Sequence, residues 1–336
     1  MKNPSTAARR RLLAATVVAL AAGSAFSQAQ AQADAWPTRP VRIIVPFGAG
    51  GATDNIARQL AFKLADELGQ QIVIENKTGA AGNIAVDYVA KATPDGYTLL
   101  MGNVSTNAIN PWLYASQMRS QPFKDLVPVT AVAAVPSVFS SSAQFAPNSL
   151  KELAAYAKVH PGEVNHASSG AGSYAMIDMM DFERAAGLNM VHVPYKAGPS
   201  EYVVAMVSNQ VQVAFTNASS VLELTRSGKL KALAVTGDKR LPQLPEVPTM
   251  AEAGFKGIGN SSWQGLFVPA GTPQAIVTRL HAAVNKALAR EDLRESYAKM
   301  IITPLGSASP AEFASFVNTD AALWKKRIEE LKIQAD

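Results

Sequence analysis

The sequence predicts an α/β fold in two lobes, each a mostly parallel sheet flanked by helices. Three observations carry this. β-branched runs alternate with amphipathic stretches, and two glycine-rich turns each stand between such a run and a helix. Behind an N-terminal export segment, about 300 residues remain, enough for two domains of ordinary size.

The export segment comes first. Lys2, Arg9, Arg10 and Arg11 precede an apolar run from Leu12 to Ala22, and Ala31-Gln32-Ala33 offers a small-x-small cleavage site. That order is a signal peptide, 1–33, cleaved near Ala33; the run falls short of the roughly 20 residues of a membrane span. Arg10-Arg11 followed by Leu12-Leu13 also permits twin-arginine export. The precursor has 31 Lys+Arg and 26 Asp+Glu. Four of the basic residues and none of the acidic ones lie in 1–33, which leaves 27 against 26. A near-neutral mature chain gives no footing for nucleic acid. There is no cysteine, hence no disulfide and no thiolate chemistry.

The elements follow in order. Val41–Val45, between Pro40 and Pro46, reads as a buried strand. After the turn Gly48–Gly51, Asn55–Leu68 reads as a helix with Ile56, Leu60, Leu64 and Leu68 on one stripe. Gln71–Glu75 is a strand, Thr78–Gly82 a second glycine-rich turn, Ile84–Ala90 a helix and Tyr97–Met101 a strand. This βαβαβ order argues for a parallel sheet under helices. Val127–Val135 is strand-like and can carry the chain between lobes. Ser149 with Glu152 forms a capping box for a helix reaching Val159. The loop Ser168–Ser173 precedes another helix. Met190–Val193, Val211–Phe215 and Leu230–Thr236 are strand candidates, and Trp263–Val268 can return the chain to the first lobe. The C-terminus holds one helix with Ile276, Leu280, Val284 and Leu288 on a face. A second starts at Ser309 and Pro310, with Phe313, Phe316, Val317, Leu323 and Ile328 as its apolar side.

The chemistry lies in the loops. Gly48–Asp54 and Thr78–Gly82 each join a strand to a helix. Glycine lets the backbone approach a ligand, and N–H groups at a helix start favour an anion. Ser105-Thr106-Asn107 after the third strand extends that rim, and Ser168–Ser173 is a similar loop from the second lobe. Gly48-x-Gly50 with Glu75 resembles a dinucleotide fingerprint, but Thr53 stands where the third glycine belongs. Catalysis has little support. There is no Gly-x-Ser-x-Gly elbow, and His160, His166, His192 and His281 show no metal-ligand spacing. His166 is the histidine placed to serve a serine, at Ser168 or Ser169. His192 reads as structural, and Asp178 with Asp181 as a solvent-facing helical pair. No metal, cofactor or enzymatic activity is expected.

Specific segments then add a resemblance. They are Trp36-Pro37-x-Arg39-Pro40 through Phe47 with Gly48–Asp54, Glu75-Asn76 with Gly79–Gly82, and Pro94–Leu99. Val193-Pro194-Tyr195-Lys196 and Leu244–Thr249 with Glu252-Ala253-Gly254 complete the set. By these the chain resembles the Bug-type, TctC-like solute-binding proteins of tripartite tricarboxylate transporters, over nearly the whole mature region. The resemblance implies a periplasmic protein with the two-lobed periplasmic-binding-protein (Venus flytrap) fold. Lobe 1 would comprise 34–132 and 264–336, and lobe 2 133–263. It implies a monomer that captures a small di-, tri- or aromatic carboxylate and delivers it to membrane permease subunits. A sensor docking on a signalling receptor and an exported serine hydrolase are the alternatives. The implied first-lobe ligand residues are Phe47, Gly48, Ala49, Gly50, Ala52, Thr53, Asp54, Gly79 and Ala80. Ser105, Ser168, Ser169, Gly172, Ser173, Tyr174 and Tyr195 complete the cleft. Thr216 and Asn217 stand where the family often has an acidic residue after Phe215, which weakens the case for an amino-bearing ligand. Phe47 and Tyr174 are placed to stack on a planar acid.

Overall fold

The computed structural model describes residues 36–195 and 197–335. The export segment and Lys196 lie outside the described residues. Strands β1 (Val41–Val45), β2 (Ile72–Asn76), β3 (Thr98–Asn103) and β4 (Leu126–Val135) enter a first sheet. β5 (Ser137–Ser142), β6 (Asn165–Ser168), β7 (Val191–Pro194), β8 (Val213–Asn217) and β9 (Leu230–Val235) form a second. β10 (Ser262–Pro269) and β11 (Thr303–Pro304) return to the first. The orders are β11-β4-β10-β3-β1-β2 and β7-β6-β8-β5-β9.

The two-lobed α/β architecture is as expected, but each sheet is mixed. β1 pairs parallel with β2 and β3, while β10 pairs antiparallel with β3 and β4. β6 pairs parallel with β7 and β8, while β5 pairs antiparallel with β8 and β9. The antiparallel strands β4, β5 and β10 flank the points where the chain crosses between sheets. A crossing strand runs back along its neighbour instead of passing through a covering helix.

The helices of eight residues or more are α1 (Ala52–Leu68), α2 (Asn83–Ala90), α3 (Leu150–Val159), α4 (Tyr174–Ala186), α5 (Pro199–Val207), α6 (Ala218–Arg226), α7 (Gln274–Ala289), α8 (Glu291–Lys299) and α9 (Pro310–Leu331). The stripes Ile56-Leu60-Leu64-Leu68 of α1 and Ile276-Leu280-Val284-Leu288 of α7 are buried in one core with Val41, Ile43 and Val45 of β1. Each such side chain contributes roughly 1.5–3 kcal/mol by leaving water. The capping boxes of α3 and α9 form, with Ser149 Oγ and Ser309 Oγ each accepting from the N–H of the glutamate three residues on, Glu152 and Glu312, at 3.1 Å. On α9, Phe316 and Leu323 stay exposed and Trp324 takes the inner face beside Phe313 and Val317. This helix lies against β4, yet its Trp324 and Ile328 share a core with Phe139 and Phe215 of the second sheet and Phe182 of α4. It is thus a third link between the lobes, beside the crossings at Pro136 and 236–261.

Strand order decides where a ligand can sit. From β1 the chain moves to β2 on one side and then to β3 on the other, and from β6 to β7 and then to β8 in the same way. Each sheet thus has a switch point, where helices leaving adjacent strand ends diverge and open a crevice at the carboxyl ends.

Candidate functional site

The two switch points face each other across a cavity of about 20 Å³, room for roughly one water molecule. Phe47, Gly51, Ala52 and Thr53 after β1, with Asn103 ending β3 and Ser105 after it, line it from the first lobe. Ser169, Ser173, Tyr174 and Ala175 after β6, Pro199 and Tyr202 after β7, and Asn217 ending β8 line it from the second. None of these is acidic or basic.

What the cavity has instead is helix N-termini. α1, α4, α5 and α6 all begin at it, and none of their N-cap residues Gly51, Ser173, Gly198 and Asn217 caps its helix with a side chain. The first turns keep N–H groups without intrahelical partners and the positive end of the helix dipole. The N–H groups of Ala52, Thr53 and Ala175 have no hydrogen-bond partner among the described residues. A negative group is the complement of this arrangement. The lobes are closed: Gly48 N–H donates to Ala197 O at 3.1 Å, and Tyr174 N–H donates to Ser105 Oγ at 3.2 Å.

Of the expected site residues, Phe47, Ala52, Thr53, Ser105, Ser169, Ser173, Tyr174 and Asn217 meet at this cavity. Others shape it from behind. Asp54 is buried and accepts from Gly50 N–H, Arg58 Nε and Asn76 Nδ2, each at 2.9 Å. Burial alone would raise its pKa, but these bonds and the Arg58 charge outweigh it and hold the carboxyl below its ordinary value. Asp54 therefore braces the first loop from behind. Gly48 faces Ser200 of the other lobe, and Gly172 packs on Asn110 and Tyr114. Ala49 and Gly50 are exposed. Gly79-Ala80-Ala81-Gly82 runs through four consecutive positive φ angles, 116°, 47°, 53° and 92°. The two alanines there occupy a region that normally favours glycine, and Asn110 Nδ2 pins Ala81 O at 2.9 Å. Ala80 thereby opens onto a separate groove of about 800 Å³ at the cleft mouth, beside Tyr88, Lys91 and Arg119.

Ala49, Gly50 and Ala80 are thus not brought to the cavity, and neither are three further expected residues, Thr216, Tyr195 and Ser168. Thr216 Oγ1 lies 2.6 Å from Ser140 Oγ, inside the sheet. Alternation along a strand puts Thr216 and Asn217 on opposite faces, so only one of them can reach the cleft. Tyr195 packs edge-on against Tyr202. Ser168 is fully buried, with its Oγ 2.7 Å from His192 Nε2. His192, and not His166, is thus the serine's partner. His166 stacks on His192 and is pushed down to about 3 by burial and by its neighbour's charge. Its Nε2 is 3.7 Å from Glu183, so that carboxylate faces His166 and not the imidazole that bonds Ser168.

Gly51, Asn103, Ala175, Pro199 and Tyr202 are lining residues that the sequence reading missed. The signal for the last pair was Gly198-Pro199, a proline at the first position of a helix after a strand. Asp178 is a correction. Helical spacing suggested a solvent-facing carboxylate, but it is 0% exposed. It accepts from Asn260 N–H at 2.8 Å, from Asn260 Nδ2, and from Arg327 at 3.5 Å. Burial pushes it up to about 6 against the opposing pull of Arg327 and Asn260.

Comparisons with known proteins agree with the fold and give the family. A sequence profile described as "Tripartite tricarboxylate transporter family receptor" matches residues 56–333. The periplasmic binding protein BugD is 33% identical with a TM-score of 0.85, over 90% of this chain and 100% of that one. MatC from Rhodopseudomonas palustris, solved with bound malate, is 34% identical with a TM-score of 0.81, over 87% of this chain and 100% of MatC. Rpa4515 from R. palustris, solved with adipate, is 34% identical with a TM-score of 0.84, over 89% and 99% of the two chains.

Proposed function

This chain belongs to the tripartite tricarboxylate transporter receptor family, and on that premise we propose that it is a periplasmic receptor that captures a small organic carboxylate between its lobes and passes it to membrane permease subunits. The observation that carries the reading is the uncharged cavity on which four helix N-termini converge. A micromolar complex needs about 8 kcal/mol, and charge-assisted hydrogen bonds contribute roughly 1.5–3 kcal/mol each. A few main-chain donors from each lobe therefore suffice without a basic side chain. A diacid suits a cavity with donors on both walls, in keeping with the malate and adipate bound by MatC and Rpa4515.

Capture requires movement. An acid of four or more carbons does not fit a cavity of about 20 Å³, so the lobes open to admit it. We take the lobes along their sheets: the first through Val135 and again from Ser262, the second from Ser137 to Val235. Opening then bends the crossings at Pro136 and 236–261 and slides α4 on α9. The expected result in a thermal-shift panel of malate, succinate, adipate and an aromatic diacid is a rise in Tm for at least one. Saturation at a hundred times Kd stabilises the native state by about 2.7 kcal/mol, equivalent to several degrees. A panel with no rise at millimolar acid would remove the carboxylate reading.

A further inference from the structure

Asn217 stands at the N-cap of α6, where an asparagine side chain ordinarily accepts a hydrogen bond from its own helix. Here it makes no such bond. Its Oδ1 instead accepts from the Tyr174 hydroxyl at 2.7 Å. The direction of that bond is set by the next groups along. Ser137 Oγ is 2.9 Å from Asn260 O, an acceptor only, and 3.3 Å from the Tyr174 oxygen. The serine proton therefore goes to the carbonyl, and the Tyr174 hydroxyl, which also neighbours Ser262, donates to Asn217 Oδ1. Asn260 is anchored in turn by Asp178. The amide of Asn217 is thus held one way round, with Oδ1 turned away and Nδ2 left over. Asn217 is only 6% exposed, lines the cavity, and its Nδ2 has no partner among the described residues.

We propose that Asn217 is the specificity-determining residue of the second lobe: its Nδ2, aimed by the Tyr174 hydroxyl, selects acids whose far end is a hydrogen-bond acceptor, a second carboxylate, over acids ending in an ammonium. This rests on the carboxylate reading above. An ammonium at this end would meet an amide donor and the starts of α4, α5 and α6, with no acidic side chain in the lining to offset it. A carboxylate there gains a charge-assisted bond. Asn217 is the selecting residue, and Tyr174 is a positioning residue that acts through it.

The test is calorimetry on the mature chain with two matched pairs, succinate against 4-aminobutyrate and adipate against 6-aminohexanoate. In the parent, the diacid of the better-fitting pair is expected to bind at least about tenfold more tightly than its amino counterpart, the scale of one charged hydrogen bond. Asn217→Asp, which replaces the donor by an acceptor of the same shape, is expected to lower diacid affinity at least tenfold and to close or invert the gap. Tyr174→Phe frees the amide to turn over and is expected to narrow the gap, a ratio that a loss of packing alone would not shift selectively. Asn217→Ser keeps a donor and is expected to keep the sign of the preference. An unchanged ratio in Asn217→Asp, or a lost or inverted preference in Asn217→Ser, in a variant that keeps the parent Tm, overturns the assignment. So does a parent that binds both members of the pair alike. If the parent binds no acid of either kind, the carboxylate reading itself falls, and this proposal with it.

Discussion

Gly48→Val is expected to lose at least a hundredfold in affinity for any acid that stabilises the parent, while its Tm in buffer alone stays close to the parent's. A Cβ on Gly48 would lie 2.2 Å from Ser200 Oγ, 3.3 Å from Ser200 Cβ and 3.4 Å from Ala197 O. All three atoms belong to the second lobe. Gly48 is also absent from the residues with positive φ, so a side chain there does not strain its own loop. The clash therefore exists only when the lobes close. The Ser200 hydroxyl can rotate away from a single methyl, so Gly48→Ala is expected to lose far less. The two further methyls of valine press on Ser200 Cβ and a backbone carbonyl, which cannot yield. A ligand that binds by stabilising the closed form loses affinity by the factor to which that form is depopulated. Parent-like affinity in Gly48→Val would mean that closure is not part of binding.

The second large effect concerns stability. Asp178 sits on α4, one turn behind Tyr174, and Arg327 reaches it from α9, which packs on β4 of the first sheet. Arg327 also contacts Asp181. Removing one partner of a buried ion pair costs about 3–5 kcal/mol. The arginine is a quarter exposed, so Arg327→Met is expected to cost about 2–4 kcal/mol at pH 7, read from urea unfolding. The pH dependence has a definite sign. The folded carboxyl of Asp178 has a pKa raised to about 6 from 3.8. Between those values the native state holds a proton that the unfolded chain has released, so the Asp178 contribution grows as pH falls from 6 toward 4. Without Arg327 the carboxyl rises further, and the deficit of the variant is expected to shrink between pH 7 and pH 5. Asp178→Asn combined with Arg327→Met removes the buried charge and should recover most of the loss at pH 7. A deficit that is flat with pH, or strictly additive in the double variant, would show that Asp178 and Arg327 do not act as a pair.

How far the sequence discloses this molecule depends on whether a feature is local. β1 and the stripes of α1 and α7 were legible because their apolar spacing states which face is buried. The early glycine loops were legible because glycines between a strand and a helix have few other uses. β5, Ser-Val-Phe-Ser-Ser-Ser, was not read as a strand, because three serines in a row show no alternation. Yet Ser140, Ser141 and Ser142 are all fully buried, Ser140 through its bond to Thr216 in the neighbouring strand. Asp178 was misjudged for a similar reason. Its partner is 149 residues away, and helical spacing carries no trace of it. At the site, the loops after β1 and β6 were found from composition alone. Choosing between Thr216 and Asn217 required the parity of β8, and Tyr202 reaches the cavity only through the packing of α5.

The central claim is that main-chain N–H groups at facing helix starts hold the acid without help from any basic side chain. A crystal structure with the best-binding diacid tests it most directly. One carboxylate is expected within hydrogen-bonding reach of the Ala52 and Thr53 N–H groups, directly or through one water. The other is expected at the start of α4 beside Ala175 N–H and Asn217 Nδ2. Density for the acid in the mouth groove, on Lys91 or Arg119, with the facing helix starts left untouched, would contradict it.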